Sequence, residues 1–372
     1  MVPDQARAAR ILAVPSVGER GGGIGQVSSS LWKTFEITWP DSCDLVTLSA
    51  DALALPDLAD KIRFGAALAA RQLAGRARWI LFSHLRLARA QQFIPPPFRV
   101  PYAVFLHGVE AWDRLAPADV RAVKGASLRL ANSRFTARRV MQANPDVGEV
   151  VACHLALPLG ADAVLSSPAS RDGRSKVVLV VGRIDSGEKY KGHRQLIDAW
   201  PAVAERVPDA QLVIAGDGDD RPHLEAKARM VPHGDRIVFT GFLDREALAA
   251  QYAQAAIFAL PSRGEGFGLV YLEAMANRLP CVGSIHDAAT EVIADGVTGL
   301  LADPDDAPGL AAAIIRLLTD DRLRHDFGEA GYQRLHEHFT FERFSRHVVA
   351  LLDQALEHSR EPAPGLARDS KL

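Results

Sequence analysis

Glu265 and Glu273 stand eight positions apart in the segment PSRGEGFGLVYLEAMANRLP, with glycine at 264, 266 and 268. Glu265 falls in a glycine-rich turn after the apolar run AIFAL, and Glu273 on a helix expected to begin near Gly268. Glycines leave backbone N–H groups open at such a helix start, where free donors and the helix dipole favour phosphate and sugar oxygens. The stretch Gly266, Phe267, Gly268 and Leu269 is therefore a candidate ligand contact. The two carboxylates then have separate work available, Glu265 on the hydroxyls of a sugar and Glu273 on the ribose of a nucleoside. A pair of Glu at this spacing means little alone, so the rest of the chain has to supply its company.

That company lies upstream. The segment VVGRIDSGEKYKGH places Gly182 and Arg183 just past an apolar run, and Lys191 eight residues after Arg183, before a helix entered through Gly192. Two cations from one loop can neutralise a diphosphate leaving group, arginine as a planar fork and lysine as a point charge. Two solvated loop cations are the plainer alternative. Near the N-terminus, GERGGGIGQVSSSLW puts Gly21, Gly22, Gly23 and Gly25 before a helix, which suits an anion. A dinucleotide fingerprint would require glycine where Gln26 stands, which argues against a dehydrogenase.

His107 ends the run YAVFLH and precedes Gly108, so its imidazole could donate to a sugar hydroxyl or carbonyl; a lone histidine at a strand end is as often structural. Glu110, Asp113 and His84 have weaker claims. Asp217, in DGDD at 217–220, can contact a base or cap a helix.

These residues need elements that hold them at one edge. RILAVPS (10–16), DLVTLS (44–49), WILFSH (79–84), YAVFLH (102–107) and SLRLAN (127–132) read as strands. KVVLVVG (176–182), AQLVIAG (210–216), RIVFTG (236–241), AIFALPS (256–262) and PCVGS (280–284) repeat the scheme, with helix-period segments at 193–206 and 244–255. Alternation of this kind predicts parallel sheets covered by helices, and ligands then bind beyond the carboxyl ends of the strands. The expectation is two Rossmann-like domains, 1–165 and 166–340, joined through the Ser-, Pro- and Gly-rich stretch 157–175 and facing a central cleft. A C-terminal helix at 341–360, started by Thr340, is expected to pack back on the first domain.

With these motifs together, the sequence resembles the family 4 retaining glycosyltransferases. The resemblance covers most of the chain and is densest from about 176 to 302, through VVGRID with KGH, VIAGDGDD, EGFGLVYLE and TEVIADGVTGLL. It implies the GT-B fold and transfer of a hexose from a GDP- or UDP-sugar to a saccharide or lipid-linked acceptor, with configuration retained and with no metal or other cofactor. By the same resemblance Gly22, Gly23, Arg183 and Lys191 hold the donor diphosphate, His107 touches the donor sugar, Glu265 binds its hydroxyls and Glu273 binds the ribose. The chain departs from the family pattern at HDAAT (286–290), where many members have two glycines and a proline before the residue matching Glu291. Sugar contacts from 284–290 are weakened accordingly.

Composition agrees with a folded two-domain chain: 372 residues, 48% hydrophobic and 24% charged, leave little scope for extended disorder. No apolar run approaches a membrane span and the N-terminus lacks a secretion signal's apolar stretch, so a cytoplasmic protein is expected. The three cysteines, Cys43, Cys153 and Cys281, are far apart and read as small buried hydrophobes.

Residues 1–170 carry 19 Lys and Arg against 14 Asp and Glu, including Arg121, Lys124, Arg129, Arg134, Arg138 and Arg139. Such a face is either simply solvated or a peripheral contact for anionic lipid headgroups on the inner membrane face; no nucleic-acid partner is expected. The competing functions are a nucleotide-sugar 2-epimerase, which needs no acceptor, a pyridoxal-phosphate phosphorylase, for which no suitable lysine segment is evident, and a non-catalytic nucleotide-sugar-binding partner.

Overall fold

The computed structural model describes residues 8–17, 22–49, 56–160 and 176–357. Gly21, most of the inter-domain stretch and the end of the C-terminal helix therefore lie outside the described residues. Twelve strands among them form two parallel six-stranded sheets. The first joins β1 (Ala9–Val14), β2 (Cys43–Thr47), β3 (Ala77–Phe82), β4 (Tyr102–Leu106), β5 (Leu128–Ala131) and β6 (Val151–Ala152) in the order 2-1-3-4-5-6. The second joins β7 (Val177–Val181), β8 (Gln211–Ala215), β9 (Ile237–Gly241), β10 (Ile257–Ala259), β11 (Cys281–Ser284) and β12 (Gly299–Ala302) in the order 12-11-10-7-8-9. Ten of these coincide with the apolar runs of the sequence. β6 and β12 were not expected: one is two residues long and the other only four, too short for its apolar run to stand out.

Helices connect the strands: α1 (Gly22–Thr38), α2 (Leu58–Leu73), α3 (Pro117–Lys124) and α4 (Arg134–Ala143) in the first lobe. The second lobe has α5 (His193–Arg206), α6 (Arg221–Met230), α7 (Arg245–Gln254), α8 (Leu269–Ala276), α9 (Ala289–Val292), α10 (Ala307–Thr319) and α11 (Asp321–His338). Local chemistry starts several of them. Asp57 and Asp60 make a reciprocal capping box on α2, and the Ser133 hydroxyl accepts from Thr136 N at the start of α4.

The strands bury because parallel sheets are covered on both faces. All five residues of β4 are buried, as are Val177–Val180 of β7. The last helix, α12 (Phe341–Leu352), starts at Thr340, whose hydroxyl accepts from Arg343 N. It leaves the second lobe and returns to the first, where Val348, Leu352 and Leu356 join one core with Leu12, Leu31, Phe35 and Trp79. The turn after it seats Glu357 against Arg10 Nε (3.0 Å) and the Trp79 indole N–H (2.9 Å).

Two compositional expectations need correction. Cys153 and Cys281 are buried, and burial pushes the Cys153 thiol up to about 12, but Cys43 is only half-buried at the start of an edge strand. Arg129 is not part of a free basic face. Its guanidinium donates to the carbonyls of Val123 (2.9 Å), Lys124 (3.0 Å) and Ala126 (2.6 Å), answering carbonyls at the C-terminal end of α3. The other five basic residues of that run are exposed. Among the described residues no helix is long and apolar enough to cross a membrane.

Candidate active site between the lobes

The cleft edge of the second lobe is built where β7 and β10 end. After Val181 the chain passes Gly182 and Arg183, then makes a tight helical turn at Ser186–Lys191 that Asp185 starts by accepting from Gly187 N (2.9 Å). Gly192 follows with φ of 82°, and a side chain there would collide with the Pro261 carbonyl. Glycine is thus required to bring the start of α5 under the loop after β10. The turn is tied to that loop by Arg263 N donating to the Tyr190 carbonyl (2.8 Å), while the Tyr190 ring lies flat where a side chain at Gly264 would stand.

This construction gathers charge. Lys191 Nζ lies 3.7 Å from Glu188 Oε2 and 3.8 Å from Glu265 Oε2, and the Lys191 side chain is only 18% exposed. Arg183, 69% exposed, pairs with the same Glu188. The structure brings Arg183, Lys191 and Glu265 together around Glu188, a residue of the same loop that the sequence did not single out. Gly182 runs beneath Lys191, whose Cδ would stand 3.4 Å from a side chain at 182.

Behind them His193 is buried with Nε2 lacking any hydrogen-bond partner. Burial, reinforced by Lys191, pushes its pKa down to about 4 and keeps it neutral.

The carboxylates of DGDD brace this turn rather than pointing as a group into the cleft. Asp219 accepts from Ser186 N and Oγ (2.6 Å each), and Asp220 pairs with Arg194 (2.9 Å). Asp217 is exposed, accepts from Gly218 N (2.9 Å) and lies 3.7 Å from Arg221.

The glycine-rich loop after β10 turns out less open than expected. Gly264 N donates to Ser262 Oγ (3.0 Å), and Glu265 N to Asp287 Oδ2 (3.1 Å). Asp287, from HDAAT, is fully buried and also accepts from Ala289 N (2.9 Å). Burial pushes its pKa up to about 8. A carboxyl group within HDAAT, the stretch where the chain departs from the family pattern, thus braces the loop.

Phe267 is 1% exposed, its ring packed 5.8 Å from those of His154 and Phe339, so its side chain belongs to the core. Gly268, at φ 91°, turns the chain into α8, whose first residue is Leu269.

Glu273 sits inside α8 almost wholly buried. Tyr252 Oη donates to its Oε2 (2.7 Å), and burial raises its pKa while hydrogen bonds from Tyr252 and Gln26 oppose that rise. Gln26 belongs to α1, so the helix that starts with exposed Gly22 and Gly23 reaches across to Glu273. In the sequence Gln26 stands out only as the position where a dinucleotide fingerprint would need glycine.

On the first lobe, His107 is 9% exposed, its ring 5.2 Å from Phe105 and 6.2 Å from His84. His107 Nε2 lies 2.6 Å from the Ser83 carbonyl. A carbonyl oxygen only accepts, so Nε2 carries the hydrogen, and the singly protonated tautomer leaves Nδ1 as a lone pair. In that tautomer the imidazole meets a hydroxyl as an acceptor, where the sequence suggests a donor.

Glu110 accepts from His107 N (2.5 Å), and Asp113 is exposed. His84 accepts from Arg86 N through Nδ1 (3.2 Å), and its pKa is pushed down to about 4, chiefly by burial.

The two edges meet through backbone. A side chain at Gly108 would lie 3.3 Å from Gly266 Cα, and one at Gly266 would collide with the His107 carbonyl. That carbonyl accepts from Asn132 Nδ2 (2.5 Å), while Ser133 Oγ (2.7 Å) and Thr136 Oγ1 (3.3 Å) donate to the Gly266 carbonyl. Asn132, Ser133 and Thr136 were not foreseen; the Asn-Ser pair after a strand was a legible helix start, but nothing local says that it faces another domain.

Residues 166–334 match the family model described as glycosyl transferases group 1. A phosphatidyl-myo-inositol mannosyltransferase of Mycolicibacterium smegmatis is 37% identical over 179 residues, 48% of this chain and 45% of that protein. The match thus spans less than half the length of that relative. Among solved structures, sucrose-phosphate synthase from Thermosynechococcus elongatus superposes with a TM-score of 0.74 at 21% identity, over 95% of this chain and 100% of that one. Anabaena HepE in complex with UDP and glucose does so with a TM-score of 0.71 at 19% identity, over 93% and 100%. The chain has the GT-B fold, and its residues 166–334 are similar to the glycosyl transferases group 1 family.

Proposed function

We propose that the chain is a retaining glycosyltransferase that moves a hexose from a GDP- or UDP-sugar to a saccharide or lipid-linked acceptor. The observation that carries this reading is Lys191, set between Glu188 and Glu265 on an edge that the His107–Gly108 edge of the other lobe closes. In the reaction the bond from the anomeric carbon to the donor phosphate oxygen breaks as the bond to the acceptor oxygen forms on the same face. The acceptor proton passes to the departing phosphate. Arg183 and Lys191 meet the charge that develops on the leaving diphosphate, work that the proposal assigns to protein cations and open N–H groups at the start of α1 rather than to a metal ion.

Glu188 occupies both cations in the absence of donor, so an arriving diphosphate exchanges one anion for another. Glu265 accepts from sugar hydroxyls, Nδ1 of His107 accepts from another, and Glu273 accepts from the ribose after Gln26 gives way. The names of the relatives, one acting on phosphatidyl-myo-inositol and one holding UDP with glucose, support this donor class and a lipid-linked acceptor. The exposed face at Arg121, Lys124, Arg134, Arg138 and Arg139 supports a cytoplasmic chain that approaches anionic lipid.

The test is incubation of the purified chain with UDP-, GDP- and ADP-hexoses, with and without saccharide acceptors. Release of one nucleoside diphosphate with transfer of the sugar in the α-retained configuration of the donor is expected. An epimer formed from donor alone would favour the epimerase, and no affinity for any nucleoside diphosphate would overturn the reading.

A further inference from the structure

Glu291 belongs to α9 in the second lobe, yet its carboxylate is spent on the first. Oε1 accepts from Phe135 N (2.5 Å) and Oε2 from Arg134 N (3.0 Å), and His154 Nε2 lies 2.7 Å from Oε2. The side chain is 12% exposed. Burial alone would raise its pKa, but His154 and the two backbone N–H groups bring it below the ordinary value.

Arg134 and Phe135 open α4, and a helix start leaves its first N–H groups without partners in the helix. Ser133 answers one of them, at Thr136, and its hydroxyl also donates to the Gly266 carbonyl. Glu291 answers two more from across the cleft. It is held from behind, since Arg334 of α11 donates to the Glu291 carbonyl (2.9 Å) and the Val292 carbonyl (2.8 Å).

One attachment between two bodies sets a distance and leaves rotation free. Here Gly266, from the loop after β10, and Glu291, from α9, grip the same turn at 133–136 of the first lobe. We propose that Glu291 is a positioning residue that caps α4 across the cleft and sets the approach of the lobes at which Gly108 meets Gly266. The contact itself is independent of the reaction; its effect on turnover rests on the transferase reading.

Amide hydrogen exchange and solution scattering on the full chain test this, with Glu291→Ala and Glu291→Gln. Glu291→Ala is expected to speed exchange at the Arg134 and Phe135 amides at least tenfold, leave α5 unchanged and enlarge the radius of gyration; Glu291→Gln, which keeps one acceptor, falls between. Where wild-type transfer is measurable, kcat falls in Glu291→Ala while affinity for UDP or GDP holds. Unchanged exchange at 134–135, or acceleration spread evenly over the lobe, would overturn the proposal. An inactive wild type would count against the transferase reading alone, because exchange and scattering are read without turnover.

Discussion

The two lobes share one construction, six parallel strands with helices on both faces, but they spend their cleft edges differently. The second lobe brings Arg183, Glu188, Lys191 and Glu265 to the ends of β7 and β10. The first lobe brings His84, held uncharged by burial, and His107, bonded to Ser83, to the ends of β3 and β4, with Glu110 bound to the His107 backbone. Against the partner lobe its backbone comes close at Gly108 and Gly266, and the Ser133 and Thr136 hydroxyls donate to the Gly266 carbonyl. Like folds thus divide the labour: one edge handles charge, and the other supplies fit.

The comparison breaks most easily at Lys191. Lys191→Ala is expected to lower turnover by about 10² to 10³-fold, as loss of a preorganised oxyanion donor does, with a much smaller change in melting temperature. Parallel loss of both, read by kinetics beside thermal unfolding, would make Lys191 a structural residue.

Acid stability sharpens the contrast next. An unfolded histidine takes a proton below about 6.5, whereas folded His193 stays neutral down to about 4, so the folded state binds fewer protons in that window. Stability is therefore full above 6.5 and is lost as pH falls toward 4, by about 3 kcal/mol in all. Urea unfolding across this range should show His193→Gln losing less stability than wild type on acidification.

Fit in the first lobe is tested by Gly266→Ala, whose methyl would collide with the His107 carbonyl and force the lobes apart. A loss of about a hundredfold in transfer is expected, with UDP or GDP affinity nearly kept. The smallest effect belongs to Arg183→Ala. Its side chain is 69% exposed and screened by water, so about a tenfold loss is expected in the same kinetic assay.

Much of this was legible before any coordinates. Strands rich in Val, Ile and Leu, with glycine just past their ends, announce a buried parallel sheet, and Arg183, Lys191 and Glu265 stand at such ends. Glu188 was hidden because an acid in a polar loop looks like a solvated one. Asp287 was hidden because it is braced by the loop after β10, through Glu265, 22 residues away. His107 was legible as a strand-end histidine, but the direction of its hydrogen bond depends on Ser83, from a neighbouring strand end.

Apolar runs and glycine placement, which act over a few residues through backbone sterics and burial on both faces of a sheet, determined the two sheets and the edge of strand ends where the candidate residues stand. Which groups pair across that edge was decided only in three dimensions. Gln26 with Glu273, Ser133 with Gly266 and Glu291 with α4 are separated by more than a hundred positions. Such bonds carry no local signature, because the free energy that selects them is the desolvation of polar groups when two already folded lobes close.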